Sequence, residues 1–477
     1  MIRQTLFTAA IALGLSCGPQ PSDDNGGGGA TTAPLPTKAP YLLEMSMAAT
    51  QPTGMPGIHS MAMGKWTDTD GHEKWLLVGG RINGFHGRSG PNSGFPQSFA
   101  NTNLTVVDMN GGKAYSLPIP EAWPQFAQLK STNMQSYQEG NTLIFIGGYG
   151  NPATEGFAKT TFDHALFIDV PAMGKAVIAG NTADAKSAIV ADLQNDAFKV
   201  TGGELDKIGN DYYLVFGQDY EGVYETSLTG KYTNKVTQLS FDAMPPTSVT
   251  LGTSFTYENK PDSTYTPYHR RDLNVHPAMF EAGKGAVAYA GVFTKQFGAW
   301  TNPVLIQPNG STVAVSMNSS FDQKANLYEA GSVLMYDDSL KQTYTSIIGG
   351  ISDYVWNDTT NSVKSSSDWP IDMQLPWSRL VNTMVMDGKG NFVEFIQDKT
   401  QGLLPSWLGA NGYFVQNSEY AYDEDFLDWK KVKAAGSKVL IGYFLGGINT
   451  QGPYTGNGMT QSRANNVIYA VYAKPVN

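Results

Sequence analysis

The chain has 477 residues, with 42 Asp and Glu against 32 Lys and Arg and a formal charge of −10. That balance, with no clustered Lys and Arg, argues against a nucleic-acid partner, whose phosphates need concentrated positive charge. Tyr (24), Phe (22) and Trp (9) supply ample core, 52 Gly and 26 Pro work against long helices, and a single cysteine excludes a disulfide framework, an Fe–S cluster and a Cys-based zinc site.

At the N-terminus, Arg3 precedes an apolar run from Leu6 to Leu15, too short for the roughly 20 residues that span a bilayer. Small residues then lead to the only thiol, in the order Leu13-Gly14-Leu15-Ser16-Cys17. This stretch resembles the lipobox of bacterial lipoproteins, with Gly14 where the family usually carries Leu. The resemblance implies a signal peptide over 1–16, acylation of Cys17, and a lipid-anchored protein at the bacterial outer membrane or cell surface. A lipid chain contributes about 0.8 kcal/mol per buried CH₂, so multiple acylation anchors a protein without a membrane-spanning helix. Residues 17–40 hold four consecutive glycines with Pro19, Pro21, Pro34 and Pro36, and their composition predicts a flexible tether. The pair Asp23-Asp24 resembles the surface-export signals of Bacteroidetes lipoproteins. No later segment reaches 18 apolar residues.

From residue 41 to the end the chain repeats. Six short β-prone apolar runs end in Gly-Gly or a degenerate form of it, at Gly79-Gly80, Gly147-Gly148, Gly217-Gln218, Gly291-Val292, Gly349-Gly350 and Gly446-Gly447. Each follows another apolar segment and a turn, as with Ile58–Met63, Asn274–Phe280 and Tyr328–Tyr336. Each precedes a polar loop and a further strand, such as Leu104–Asp108, Ala165–Asp169 or Pro303–Gln307. A fourth run often closes the unit, as at Ala114–Pro118, Val236–Ser240, Thr312–Ser316 and Asn391–Phe395.

Six units of four antiparallel strands, with glycines at the end of the second, resemble the kelch β-propeller. Units here are longer than the roughly 50 residues of a kelch repeat, so each blade carries extra loop. The last unit, with strands near Val432–Ala435, Val439–Leu445 and Val467–Tyr472, lacks a fourth strand, while Tyr41–Met47 lacks a partner. Pairing the two closes the ring and removes two exposed edges. The expected fold is therefore an all-β, six-bladed propeller over 41–477, closed by its N-terminal strand.

Propellers present ligands at the mouth of the central channel. The loop after the first double glycine, Arg81 to Arg88, is basic and aromatic and offers Arg81 and His86 to a sugar or a carboxylate. His59 and His276 are read as opening the innermost strands of blades one and four, as structural hydrogen-bonders or as channel-facing ligands. Arg270 and Arg271, in the run Tyr268 to Asn274, can clamp an anion bidentately or lock an inter-blade loop. Arg379 and Arg463 occupy comparable places on blades five and six, so Arg271, Arg379 and Arg463 form a candidate arginine trio. A sialidase needs such a trio but also Asp-box repeats, which the sequence lacks.

No HExxH, Walker loop or GxSxG motif occurs, and the acidic run Asp423 to Asp428 lacks EF-hand spacing. No cofactor is expected, and Ca²⁺ finds no motif. Galactose-oxidase-like proteins share kelch blades but need a Cys–Tyr thioether beside copper, which Cys17 in the export region cannot supply. The leading expectation is a membrane-anchored binding module for a glycan, a peptide or an envelope protein. A sugar epimerase or mutarotase and a structural part of an envelope complex are the alternatives.

Overall fold

Six apolar runs that are buried on both faces need a sheet on either side of each, and a ring of blades supplies that. The computed structural model describes residues 33–86, 94–152, 159–224, 230–259, 265–295, 298–357, 359–365, 376–453 and 461–476. Cys17 and the expected signal segment, 1–16, lie outside these.

The described residues form six antiparallel blades. From the channel outward, blade one is Ala62–Thr67, Glu73–Val78, Asn103–Asp108 and Lys113–Pro118. Blades two to five follow in chain order, with innermost strands Gln135–Glu139, Glu204–Ile208, Asn274–Phe280 and Ser332–Asp337. Blade six runs Gly412–Gln416, Val439–Gly446, Tyr469–Pro475 and then Tyr41–Met47, which pairs from Tyr41↔Pro475 to Met47↔Tyr469. The N-terminal strand thus closes the ring, as expected.

Alternation along the second strands builds the inter-blade cores, because successive side chains point to opposite faces. Leu76 and Val78 join Leu143 and Phe145 between blades one and two. Trp75 and Leu77 turn the other way and meet Leu445 of blade six. Ile144 and Ile146 meet Tyr212 and Leu214 of blade three, whose Tyr213 and Val215 meet Ala286 and Ala288 of blade four. Val287 and Tyr289 then meet Ile347 of blade five, and Tyr344 and Ile348 meet Ile441 of blade six, returning to the start.

The double-glycine positions share one backbone conformation in all six blades. Both residues have positive φ in each blade, for example +69° and +84° at Gly79 and Gly80. In blades three and four the pair is Phe216-Gly217 and Ala290-Gly291, so the degenerate residue is the first of the pair. This corrects the sequence reading, which placed it second, at Gln218 and Val292. Glycine suits the first position where a neighbouring backbone crowds it: a Cβ on Gly147 would sit 2.2 Å from the Val200 carbonyl oxygen.

Three other expectations are corrected. The innermost strand of blade six is Gly412–Gln416, and Val432 belongs to a short helix, Trp429–Ala434, capped by Asp428. Blade three uses Val236–Ser240 within its third strand, Lys235–Phe241, and takes Val249–Thr256 as its fourth. His59 and His276 are not equivalent. His276 is the third residue of its strand, whereas His59 precedes Ala62 and bridges Arg81, as Arg271 bridges Val292 in blade four.

Strand direction fixes where the chain enters. Val439–Gly446 runs toward its glycine end, Tyr469–Pro475 runs back, and Tyr41–Met47 runs toward the glycine end again. Tyr41 therefore sits at the end of the propeller remote from the glycine rim. Just before it, the Ala33 and Pro34 carbonyls accept hydrogen bonds from Gln342 Nε2 (3.4 and 3.0 Å).

Candidate functional site at the glycine rim

Ahead of each innermost strand stands one residue that links to the next blade through its backbone. The Ser60 N–H donates to Asn411 O (3.3 Å), Asn133 to Ser60 (3.2 Å) and Gly202 to Asn133 (2.9 Å). Asp272 donates to Gly202 (2.7 Å), Glu329 to Asp272 (3.0 Å) and Asn411 to Glu329 (3.0 Å). The result is a closed circle of six hydrogen bonds around the channel. Ser60, Asn133, Gly202, Asp272 and Asn411 all have φ between +50° and +65°. Apart from Ser60, they are drawn from the residue types that tolerate the left-handed region.

Five of these ring residues line a cavity on the rim side, together with His59, Arg81, His86, Phe95, Arg271 and Tyr328. Its volume is about 40 Å³, room for roughly three waters or one small charged group. Beyond the ring the channel widens into a cavity of about 530 Å³, lined by Lys65, Ser136, Tyr413 and Asp425 among others.

Arg81 directly follows Gly80 and is 4 % exposed. Its Nε donates to Asn83 Oδ1 (3.1 Å) and its Nη2 to Pro96 O (2.9 Å), while the guanidinium lies 5.2 Å from the Phe95 ring centre. Burial pulls its pKa down to about 10. Arg271 is neutralised by Asp272, with Nη1 2.6 Å from Oδ2, and donates to Tyr224 OH (2.5 Å) and Tyr232 OH (3.1 Å). His59 Nδ1 lies 2.9 Å from Ser60 Oγ. Burial and then Arg81 hold its pKa down at about 3, so the ring is neutral. The His86 ring lies between Phe85 and Phe95, 4.6 Å from each, and meets Tyr224 edge-on at 5.0 Å. Phe85 reaches across the mouth to Trp377 of blade five (5.6 Å), and its N–H donates to Ser462 Oγ of blade six (2.9 Å).

Four of the eight residues singled out from the sequence thus meet at one cavity: His59, Arg81, His86 and Arg271. The other four do not line it. Arg270 is fully buried and donates to the Pro267, Ala290 and Asn302 carbonyls, tying together the loops of blade four. His276 sits on its strand with Nε2 lacking a hydrogen-bond partner, and burial lowers its pKa to about 4. Arg379 donates to Leu404 O (2.8 Å) and stacks over Trp407, and Arg463 is exposed. The trio of Arg271, Arg379 and Arg463 is therefore not assembled around one point. Among the described residues no cluster of three or more His, Cys, Asp and Glu is arranged to hold a metal ion.

Sequence reasoning missed Tyr149, which lines the cavity immediately after Gly147-Gly148, in the place Arg81 holds after Gly79-Gly80. Aligning the repeats on the glycines finds it. It also missed Glu204, which opens the innermost strand of blade three, and the ring residue Glu329. Both are half-buried by area, yet they sit inside the channel, so desolvation prevails and raises both, Glu329 to about 8. Neighbouring charge adds to this, Glu329 acting on Glu204 and Asp272 on Glu329. Nothing in the local sequence marks either. In the acidic run, Lys284 bridges Asp423 (2.9 Å) and Asp425 (2.6 Å).

No protein-family model matches this chain, and no curated protein matches it in sequence.

Proposed function

We propose that this protein is a lipid-anchored, extracytoplasmic propeller of kelch type that binds a glycan across its glycine rim without catalysis. The observation that carries the reading is the entry of the chain at the end remote from the rim. With Cys17 acylated, the tether would join the propeller at the end opposite the arginine- and aromatic-bearing mouth. Fully extended, the 16 residues from Cys17 to Thr32 reach at most about 55 Å, so the anchor would keep the propeller near the bilayer.

Two further features support a binding role. The cavity on the rim side of the six-bond ring brings Arg81 and Arg271 together with the rings of Phe95, Tyr149 and Tyr224, groups that can hold a ligand. Ile82 and Val223, 46 % and 43 % exposed, stand on the loops that carry Arg81 and Tyr224, and apolar side chains set beside polar groups are what a ligand face offers. A non-enzymatic role accords with the scattered arginine trio, since acid–base chemistry needs ionisable groups converging on one reacting atom.

The anchor and the binding are tested separately. Cys17→Ser should move the protein from the membrane to the soluble fraction; retention on the membrane contradicts the anchor. The purified protein should capture a restricted set of glycans on an array, and a blank array contradicts the binding reading.

A further inference from the structure

Charge is uncompensated inside the mouth cavity. Among the described residues the only arginine–carboxylate pair is Arg271 with Asp272. Arg81 is as deeply buried as Arg271, yet both of its hydrogen-bond acceptors are neutral oxygens, from Asn83 and Pro96. Lys159, 8 % exposed, adds a second cation nearby, and its Nζ also ends on a neutral group, the Gly94 carbonyl. A buried guanidinium without an anion is costly, and an anion brought to it forms charge-assisted hydrogen bonds that are stronger than neutral ones.

The cavity offers a second, independent sign of a ligand. His59 is 4 % exposed and lines the cavity, and apart from the backbone of Asn83, which acts on the ring, its Nε2 has no well-formed hydrogen bond. With Nδ1 accepting from Ser60 Oγ, the neutral ring carries its proton on Nε2 and has a donor to offer. The space, about 40 Å³, admits a carboxylate group and no whole sugar ring, so the body of the ligand stays on the rim.

We propose that the mouth cavity is an anion subsite that takes the carboxylate of an acidic sugar, with Arg81 as the charged partner and His59 Nε2–H as the neutral donor. This deepens the rim-binding reading and rests on it for the rest of the ligand.

The test uses the full chain in detergent and follows thermal unfolding during titration with sodium acetate, sodium chloride at equal ionic strength, and acetamide, the neutral isostere. The expected result is a saturable rise in Tm with acetate, a smaller rise with chloride and none with acetamide. Arg81→Met should abolish the acetate response. Equal responses to acetate and acetamide, equal responses to acetate and chloride, or an Arg81→Met protein that responds like wild type would each overturn the proposal. If Arg81→Met does not fold, Arg81→Lys serves instead. It keeps the charge, loses the planar fork and should need on the order of tenfold more acetate for half-saturation; an unchanged midpoint overturns the proposal. Glucuronate should act at lower concentration than N-acetylglycine, and the reverse order removes the sugar assignment in favour of a peptide carboxylate. A normal acetate response beside a blank glycan array would sink the rim reading and leave the anion subsite in place.

Discussion

Ring closure depends on an edge strand whose backbone is held from outside, at Leu43, by one amide. Tyr41–Met47 is the outermost strand of blade six, so the N–H and C=O of Leu43 that point away from Tyr469–Pro475 have no ladder partner. Gln397, at the end of blade five and 6 % exposed, supplies both: Oε1 accepts from Leu43 N (2.9 Å) and Nε2 donates to Leu43 O (2.7 Å) and Gly402 O (2.8 Å). Gln397→Leu keeps the volume and leaves two buried backbone groups of Leu43 unsatisfied. At about 1–3 kcal/mol per group, the loss should be about 2–6 kcal/mol. Urea unfolding, read as a midpoint shift at constant slope, measures it. Two other glutamines bracket the expectation. Gln51 makes a similar pair of bonds to the buried Ile468 (2.7 and 3.0 Å), so Gln51→Leu should also cost on the order of a few kcal/mol, whereas Gln125→Leu, which loses only a solvent-exposed bond to Asp192 (2.8 Å), should cost below about 1 kcal/mol. A Gln397→Leu protein within about 0.5 kcal/mol of wild type would refute the latch.

Two more predictions concern the interior. Gly147→Ala places a Cβ 2.2 Å from Val200 O and 2.6 Å from Phe198 O at φ +64°, whereas Gly140→Ala, at φ +54°, meets nothing within 4 Å. Thermal melts should show a loss of about 1–2 kcal/mol for Gly140→Ala, from the left-handed conformation alone, and a much larger loss or failure to fold for Gly147→Ala. Glu329, raised by burial from 4.5 to about 8, stabilises the fold fully below pH 4.5, and that contribution is lost as pH rises to about 8. Glu329→Gln should therefore flatten the decline in stability between pH 5 and pH 8 and leave the variant the more stable protein at the upper end. A decline as steep as in wild type would show that this carboxyl is not the cause.

Much of the scaffold was legible because its signals are local. The second strands read as apolar runs since blades pack on both their faces, and the glycines read as strand ends since a crowded, left-handed position excludes most side chains. Tyr41–Met47 was placed by an unpaired edge at each end of the repeat. Blade six misled because Gly412–Gln416 is short and glycine-led, while Val432 on a one-turn helix looks like part of a strand when only a few apolar residues are considered. The site was half legible. Arg81 and His86 are conspicuous in their loop, and Arg271 in its run. Asn133, Asp272 and Asn411 carry the ring through backbone conformation, which residue type hints at without locating. Glu204 and Glu329 meet only because the ring brings blades three and five to one channel.

The central claim is that the rim, not the wide end of the channel, is the ligand face. The most direct measurement compares glycan-array capture by three proteins: wild type, a rim variant carrying Ile82→Asp and Val223→Asp, and a channel variant carrying Lys65→Ala and Gln416→Ala. Ile82 and Val223 are exposed and Lys65 and Gln416 are only half-buried, so all three should fold. The account predicts that the rim variant loses capture and the channel variant keeps the wild-type pattern. Capture that survives the rim changes and disappears with the channel changes would contradict it.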